Sequence, residues 1–274
     1  YGLYFGIFLA EYQIQSYYMS KWIFLFCFFS SQLGWSQSEV FQGGEWFKFK
    51  MSYSGWFKAG EATLSVKETT LNNKPVYHIV GKGVTTGAIK WFFKVEDRYE
   101  SYIGQDNGLP QKFIRDIDEG GYKKDVLIKF DHANLQAEIT NHETGIVNIK
   151  TVEPKTQDLI SAYYYLRNFY HDINPIDNLE VTIPLFFDYE NHEFKLRYLG
   201  TEIIDTEFGK VKSFKFRPFV KAGRVFRAEE SVAIWVSADK NRIPLRVKAD
   251  LRVGSLRADL IAFKGLKHSF EIVF

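Results

Sequence analysis

The sequence predicts a mainly β protein: a strongly curved antiparallel sheet or open β-barrel with one covering α-helix. Three observations predict it. From Glu45 onward, short stretches of alternating apolar and polar residues recur at roughly ten-residue spacing. Clusters of Gly, Asn, Asp and Pro separate them. Aromatic residues make up 18% of the chain, including 26 Phe and 16 Tyr, against 20 Gly and 7 Pro. That is a β-rich globular composition with apolar mass for a sizeable core.

The elements follow in order. Phe47, Phe49, Met51 and Tyr53 share one face of a strand, with Lys48 and Lys50 opposite. Ala62, Leu64 and Val66 mark the second, and the turn Leu71–Pro75 leads to a third over Val76–Gly83. Val84–Phe93 reads either as a short helical turn packing its aromatics or as a loop. Strands are then expected over Val95–Ile103, Gln111–Asp118, Tyr122–Asp131, Leu135–Thr140 and Gly145–Val152. One segment departs from period two. In Thr156–Tyr170, Leu159, Ala162, Tyr163, Leu166, Phe169 and Tyr170 fall on one helical face. Thr156 or Asp158 can cap it, and Asn174-Pro175 lies beyond its end. A lone helix among strands is expected to cover one open end or face of the sheet.

Strands resume at Glu180–Asp188, Glu193–Asp205 and Gly209–Phe219. Lys221–Leu260 then reads as a β-meander. Its first strand, Glu230–Ser237, alternates Val232, Ile234 and Val236 against Ser231, Ala233, Trp235 and Ser237. Ala238–Arg242 is the turn, and Pro244, which cannot donate to a ladder, opens the next strand. Gly254-Ser255 turns again, Leu256–Ala262 returns, and Phe263–Phe274 is a tail with room for a last strand. The spacing gives about ten to fourteen strands, in one domain over residues 40–274.

The N-terminal region reads differently. Met19-Ser20-Lys21 precedes an apolar run, Trp22–Phe29, and then small residues near Gly34 and Ser36. This pattern is that of a secretory signal peptide over residues 19–36, cut between Ser36 and Gln37. Eight apolar residues fall well short of the roughly 20 that span a bilayer. Residues 1–18 read as an over-extended segment ahead of a start at Met19. The only cysteine, Cys27, lies inside the apolar run. The mature chain is therefore expected to be periplasmic, with no disulfide and no lipid anchor, since Phe26 stands where lipid attachment needs a small residue.

No catalytic motif emerges. The six histidines are scattered, without metal-ligand spacing. There is no nucleophile elbow, phosphate-binding glycine loop or dinucleotide fingerprint. No cofactor and no metal are expected. Asp116 and Asp118 share a strand face and read as solvated carboxylates rather than an acid/base pair. Net charge is +2, so no global field selects nucleic acid. Lys210–Arg227 holds seven basic residues and no acidic one. It reads as a strand edge guarded by lysines, with an anion site as the alternative. The aromatics either fill the core, as in small barrels, or line an apolar cavity.

Several separated segments carry a resemblance. Gly44–Phe49, Ser54–Ala62, Asp158–Arg167, Gly223–Phe226, Trp235–Pro244 and Val253–Ser255 together resemble the domain of unknown function 3108 family of exported bacterial proteins. The resemblance spans nearly all of the mature chain. It implies an envelope location and a single β-rich domain, and no established activity. The Trp235–Leu245 turn is more distantly similar to outer-membrane lipoprotein carriers, whose curved sheet wraps an apolar cavity.

The functional reading is an exported envelope protein that binds a lipid or other apolar ligand in the concave sheet. The alternatives are a structural or partner-binding protein with a filled core and, third, a hydrolase of envelope carbohydrate. The candidate ligand-binding residues are Lys215, Arg217, Arg224, Trp235, Tyr163 and Tyr164, where the basic stretch and the meander are expected to meet the helix.

Overall fold

The computed structural model describes residues 40–55, 57–87, 89–92, 94–171, 175–176, 178–219 and 231–274. The expected signal peptide, the segment before it, Cys27 and Arg224 lie outside these residues.

Fourteen strands form one antiparallel sheet. The first eight are β1 (Trp46–Tyr53), β2 (Phe57–Leu71), β3 (Lys74–Thr85), β4 (Val95–Gly104), β5 (Pro110–Glu119), β6 (Tyr122–Asp131), β7 (Gln136–Asn141) and β8 (Val147–Thr151). The rest are β9 (Glu180–Phe187), β10 (Glu190–Thr206), β11 (Gly209–Pro218), β12 (Val232–Ser237), β13 (Pro244–Asp250) and β14 (Ser255–Lys264). Each strand pairs with its sequence neighbour, except between β8 and β9. The two meanders join where β14 pairs with β1, from Trp46 opposite Lys264 to Tyr53 opposite Leu256. The free edges are β8 and β9.

The segment between those edges draws them together. Gln157 donates its N–H to the Pro184 carbonyl (2.9 Å) and accepts from the Phe186 N–H (2.8 Å). Asn191 Nδ2 donates to the Thr151 carbonyl (2.9 Å). The main helix, α2 (Leu159–His171), follows. A shorter one, α1 (Ile89–Phe92), lies between β3 and β4. It is a helical turn, as one reading of the sequence had it, but Trp91 is 88% exposed rather than packed.

Asp158, not Thr156, is the N-cap of α2. Its Oδ1 accepts the N–H groups of Ile160 and Ser161, each at 2.8 Å, which satisfies two of the donors a helix start leaves open. Its Oδ2 accepts from Ser101 Oγ of β4 at 2.6 Å. The cap thus fixes the helix to the sheet as well as starting it. Between β9 and β10, Asp188 and Tyr189 both take positive φ (52° and 69°). That is the geometry of a two-residue hairpin turn whose twist matches the strands. It lets β10 begin at Glu190, ahead of the predicted Glu193.

The two meanders make two cores against α2. On the β1–β8 side, Ile79, Phe113, Ile128 and Ile139 pack with Ile160 and Tyr164 of the helix. On the β9–β14 side, Leu185, Leu196, Tyr198 and Phe216 pack with Ala162, Leu166 and Tyr170. One corrected expectation concerns the basic stretch. Its strand, β11, lies between β10 and β12, so its lysines do not guard an edge.

Candidate functional site

The helix touches the two halves of the sheet differently. Toward β1–β8 it is tightly seated. The Tyr164 ring meets Phe41 edge-on at 4.4 Å, and Phe41 meets Tyr77 at 4.9 Å. Toward β9–β12 it leaves a cavity of about 240 Å³. Ala162, Tyr163, Leu166 and Tyr170 form its helical wall. Leu185, Leu196, Phe216, Ile234 and Val236 form the wall from the sheet. These sheet residues come from alternate positions of successive strands, as a pleated inner face requires. Among the described residues, Arg167 and Arg242 are its only charged lining residues.

Arg167 is anchored away from the cavity. Its Nη1 and Nη2 donate to the two carboxylate oxygens of Glu45 at 2.6 and 2.9 Å. Nε and Nη2 also donate to the Asn241 carbonyl at 3.2 and 2.9 Å. Both side chains of the ion pair are almost wholly buried, at 2% and 0% exposure. Burial opposes the charge on Arg167, but Glu45 and the nearby tyrosines outweigh it, so the guanidinium titrates above its ordinary value. Tyr164 Oη reaches Glu45 at 3.4 Å, and burial first, then the Glu45 charge, pushes this phenol well up.

The Ala238–Arg242 turn is a second buried polar group, and it is structural, as expected. Asp239 Oδ1 accepts from Ser237 Oγ (2.6 Å) and from the Asn241 N–H (2.9 Å). Asn241 holds the C-terminal tail, donating Nδ2 to the Ser269 carbonyl and accepting from the His268 N–H. Arg242 donates Nε to the Tyr170 carbonyl at the end of α2 (3.1 Å) and Nη1 to the carbonyls of Ala238 and Asp239. Glu45, Arg167 and Asn241 come from three of the separated segments that carry the family resemblance. In the fold those segments converge on one buried bracket.

The residues singled out in the sequence divide. Tyr163 lines the cavity. Tyr164, one position on, turns to the filled side. Lys215 and Trp235 sit opposite each other on β11 and β12, on the face away from the cavity that Phe216, Ile234 and Val236 line. There Trp235 Nε1 donates to Glu202 Oε1 at 2.7 Å, and Lys215 Nζ pairs with the same oxygen at 3.0 Å. Arg217 follows Lys215 on that outward face. The alternation of Trp235 against Val232, Ile234 and Val236 is as the sequence predicts. Of the residues that line the cavity, Tyr163 alone was a sequence candidate; Leu166, Phe216, Ile234, Val236 and Arg242 are among those that sequence reasoning missed as such. The β12 alternation carried the only signal for Ile234 and Val236.

Among the described residues no group of three or more His, Cys, Asp or Glu is placed to hold a metal ion, and no helix is long and apolar enough to cross a membrane. Asp97 lies beside Glu119. Burial and then that neighbouring charge raise its carboxyl to about 6. The pair stands apart from the cavity lining.

A solved structure shares the fold. The chain is similar to a β-barrel-like protein of domain of unknown function DUF1849 from Brucella abortus, with a TM-score of 0.55 and 11% identity, covering 84% of this chain and 100% of that one. It is also similar, with a TM-score of 0.35 and 10% identity in each case, to a candidate lipoprotein from Parabacteroides distasonis and to a protein with a YmcC-like fold from Bacteroides fragilis. These cover 82% of this chain and 98% and 99% of theirs. Among curated proteins, none matches the sequence. Residues 48–261 match the family model described as protein of unknown function (DUF3108), and the chain belongs to that family.

Proposed function

We propose that this protein is exported and holds one apolar chain, such as an acyl chain, between α2 and the inner face of β9–β12. The observation that carries the reading is the apolar cavity of about 240 Å³. It exceeds the roughly 150 Å³ of an engineered apolar cavity that stays dry and binds benzene. It falls below the roughly 300–1,000 Å³ of sites for drug-sized ligands. Its size therefore suits a single chain rather than a whole two-chain lipid. The signal-like pattern over residues 19–36 supports export, and periplasmic residence follows from it as part of the same proposal.

The test uses purified protein and the neutral dye N-phenyl-1-naphthylamine, whose fluorescence rises in apolar surroundings. Saturable enhancement at one dye per chain is expected. Ala162→Phe, which places a ring in the cavity, should abolish it. No enhancement with the native chain, or equal enhancement in the folded variant, would remove the reading.

A further inference from the structure

Arg242 makes no ion pair among the described residues, although the Asp239 and Glu271 carboxylates lie near enough to favour its charge. It is 6% exposed, lines the cavity, and lies with its guanidinium 4.6 Å over the Phe214 ring. Its Nε and Nη1 meet only backbone carbonyls. Nη2 donates to no acceptor among the described residues, and no described carboxylate reaches ion-pair distance of this side chain. The adjacent Asp239 carboxylate is already committed to Ser237, Asn241 and the Glu271 N–H. Arg167 makes the contrast: the other cavity arginine has a bidentate carboxylate of its own. Buried charges are ordinarily paired. In keeping with this, burial holds the Arg242 guanidinium below its ordinary value.

Tyr170 adds an independent observation. Its side chain lines the same cavity, it is 3% exposed, and its hydroxyl has no hydrogen-bond partner among the described residues. A buried polar group without a partner calls for an explanation. Burial pushes this phenol up to about 12, so at neutral pH it is a donor. Arg242 and the Tyr170 hydroxyl thus stand in a mostly apolar wall, which also holds the carboxylate-paired Arg167 and the Tyr163 hydroxyl, itself without a partner among the described residues. A group with two acceptor oxygens and a negative charge satisfies both; a neutral alcohol offers one oxygen and no charge.

Building on the reading of the cavity as an apolar-chain site, we infer that its ligand is a single-chain amphiphile with an anionic head, of which a fatty carboxylate is the simplest, seated with its head against Arg242 and Tyr170 and its chain along Leu166, Leu196 and Ile234. The head reads the polar pair, and the volume limits the chain.

The experiment is a calorimetric titration of the full chain with decanoate and with decanol. Decanoate should bind about tenfold more tightly, the scale of a charge-assisted contact. Arg242→Met should lower decanoate affinity by about tenfold and leave decanol unchanged. Because Arg242 also holds the end of α2, that variant can fail to fold. Tyr170→Phe removes only an oxygen without a partner; it should fold normally, lower decanoate affinity by about threefold, and leave decanol unchanged. Equal binding of acid and alcohol, or loss of both ligands alike in Tyr170→Phe, overturns the anionic head and leaves the apolar-chain reading standing. If neither decanoate nor decanol binds native protein, both fall together.

Discussion

One helix, α2, serves two sides of the same sheet, and they are packed to different standards. Toward β1–β8 it offers Ile160 and Tyr164 to a wall of Phe and Ile residues, and the aromatic edges close at 4.4 and 4.9 Å. Toward β9–β12 it offers Ala162, Leu166 and Tyr170, and a cavity of about 240 Å³ remains. The same backbone element thus gives a jigsaw fit on one face and a void on the other. The filled side holds the helix in place, and the buried Glu45–Arg167–Asn241 bracket ties it to the sheet from within. A helix fixed in this way can border an empty space without settling into it. Tight packing and open volume are divided between the two faces.

The largest expected effect comes from breaking what holds the helix. Arg167→Met leaves Glu45 buried without its partner, and losing one member of such a pair costs about 3–5 kcal/mol. Urea unfolding followed by circular dichroism measures it; a loss under 1 kcal/mol would mean the bracket does not support the filled side.

A paired substitution compares the faces directly. Ala137 is wholly buried on the filled side, and Ala137→Phe should cost about 1–3 kcal/mol through overpacking. Ala162→Phe places the same ring in the cavity and should leave the unfolding midpoint unchanged or raise it, since a buried Phe contributes about 1.5–3 kcal/mol against a helix-propensity cost of about 0.5 kcal/mol. Equal destabilisation of the two variants would show that the faces do not differ.

The smallest effect is a slope. Burial is the main reason the Asp158 carboxyl is raised to about 6. The folded state therefore favours its protonated form, and the stability it contributes is complete below the unfolded pKa of about 3.9. That contribution is lost as pH rises through about 6. Asp158→Asn keeps a good cap without the titration. The variant should gain on the native chain between about pH 4 and 6.5, read as the difference between their urea midpoints. A constant difference across that window would contradict the raised carboxyl.

Local signals carried most of the elements. Period-two alternation marks β1, β5, β6 and β12, and the one apolar helical face marks α2, because each is written within a few turns or pleats of chain. Partner choice is not written locally. Nothing in Trp46–Tyr53 or Ser255–Lys264 says that β1 and β14 pair, since alternation orients side chains without naming a neighbouring strand. The buried ion pair was hidden for a related reason. Glu45 reads as an ordinary acid before a strand, and only the fold brings Arg167 to it. The cavity was equally out of reach, because its volume is what remains after residues from two meanders and a helix have met. The basic stretch misled in the other direction. Lys215 and Arg217 looked convergent with the helix, but strand alternation turns them outward while Phe214 and Phe216 turn in.

The pairing of β1 with β14 also sets an order of assembly. The first meander, β1–β8, has only near-neighbour contacts and can zip together as its residues become available. Until the last strand arrives, β1 presents an unpaired edge at what will be the middle of the sheet, with Phe47 and Phe49 on that strand. Such an edge is a template for wrong partners. A chain that stops before Ser255 therefore loses more than a peripheral strand: it loses the seam between the meanders, the pairing of β1 with β14 that makes two sheets into one.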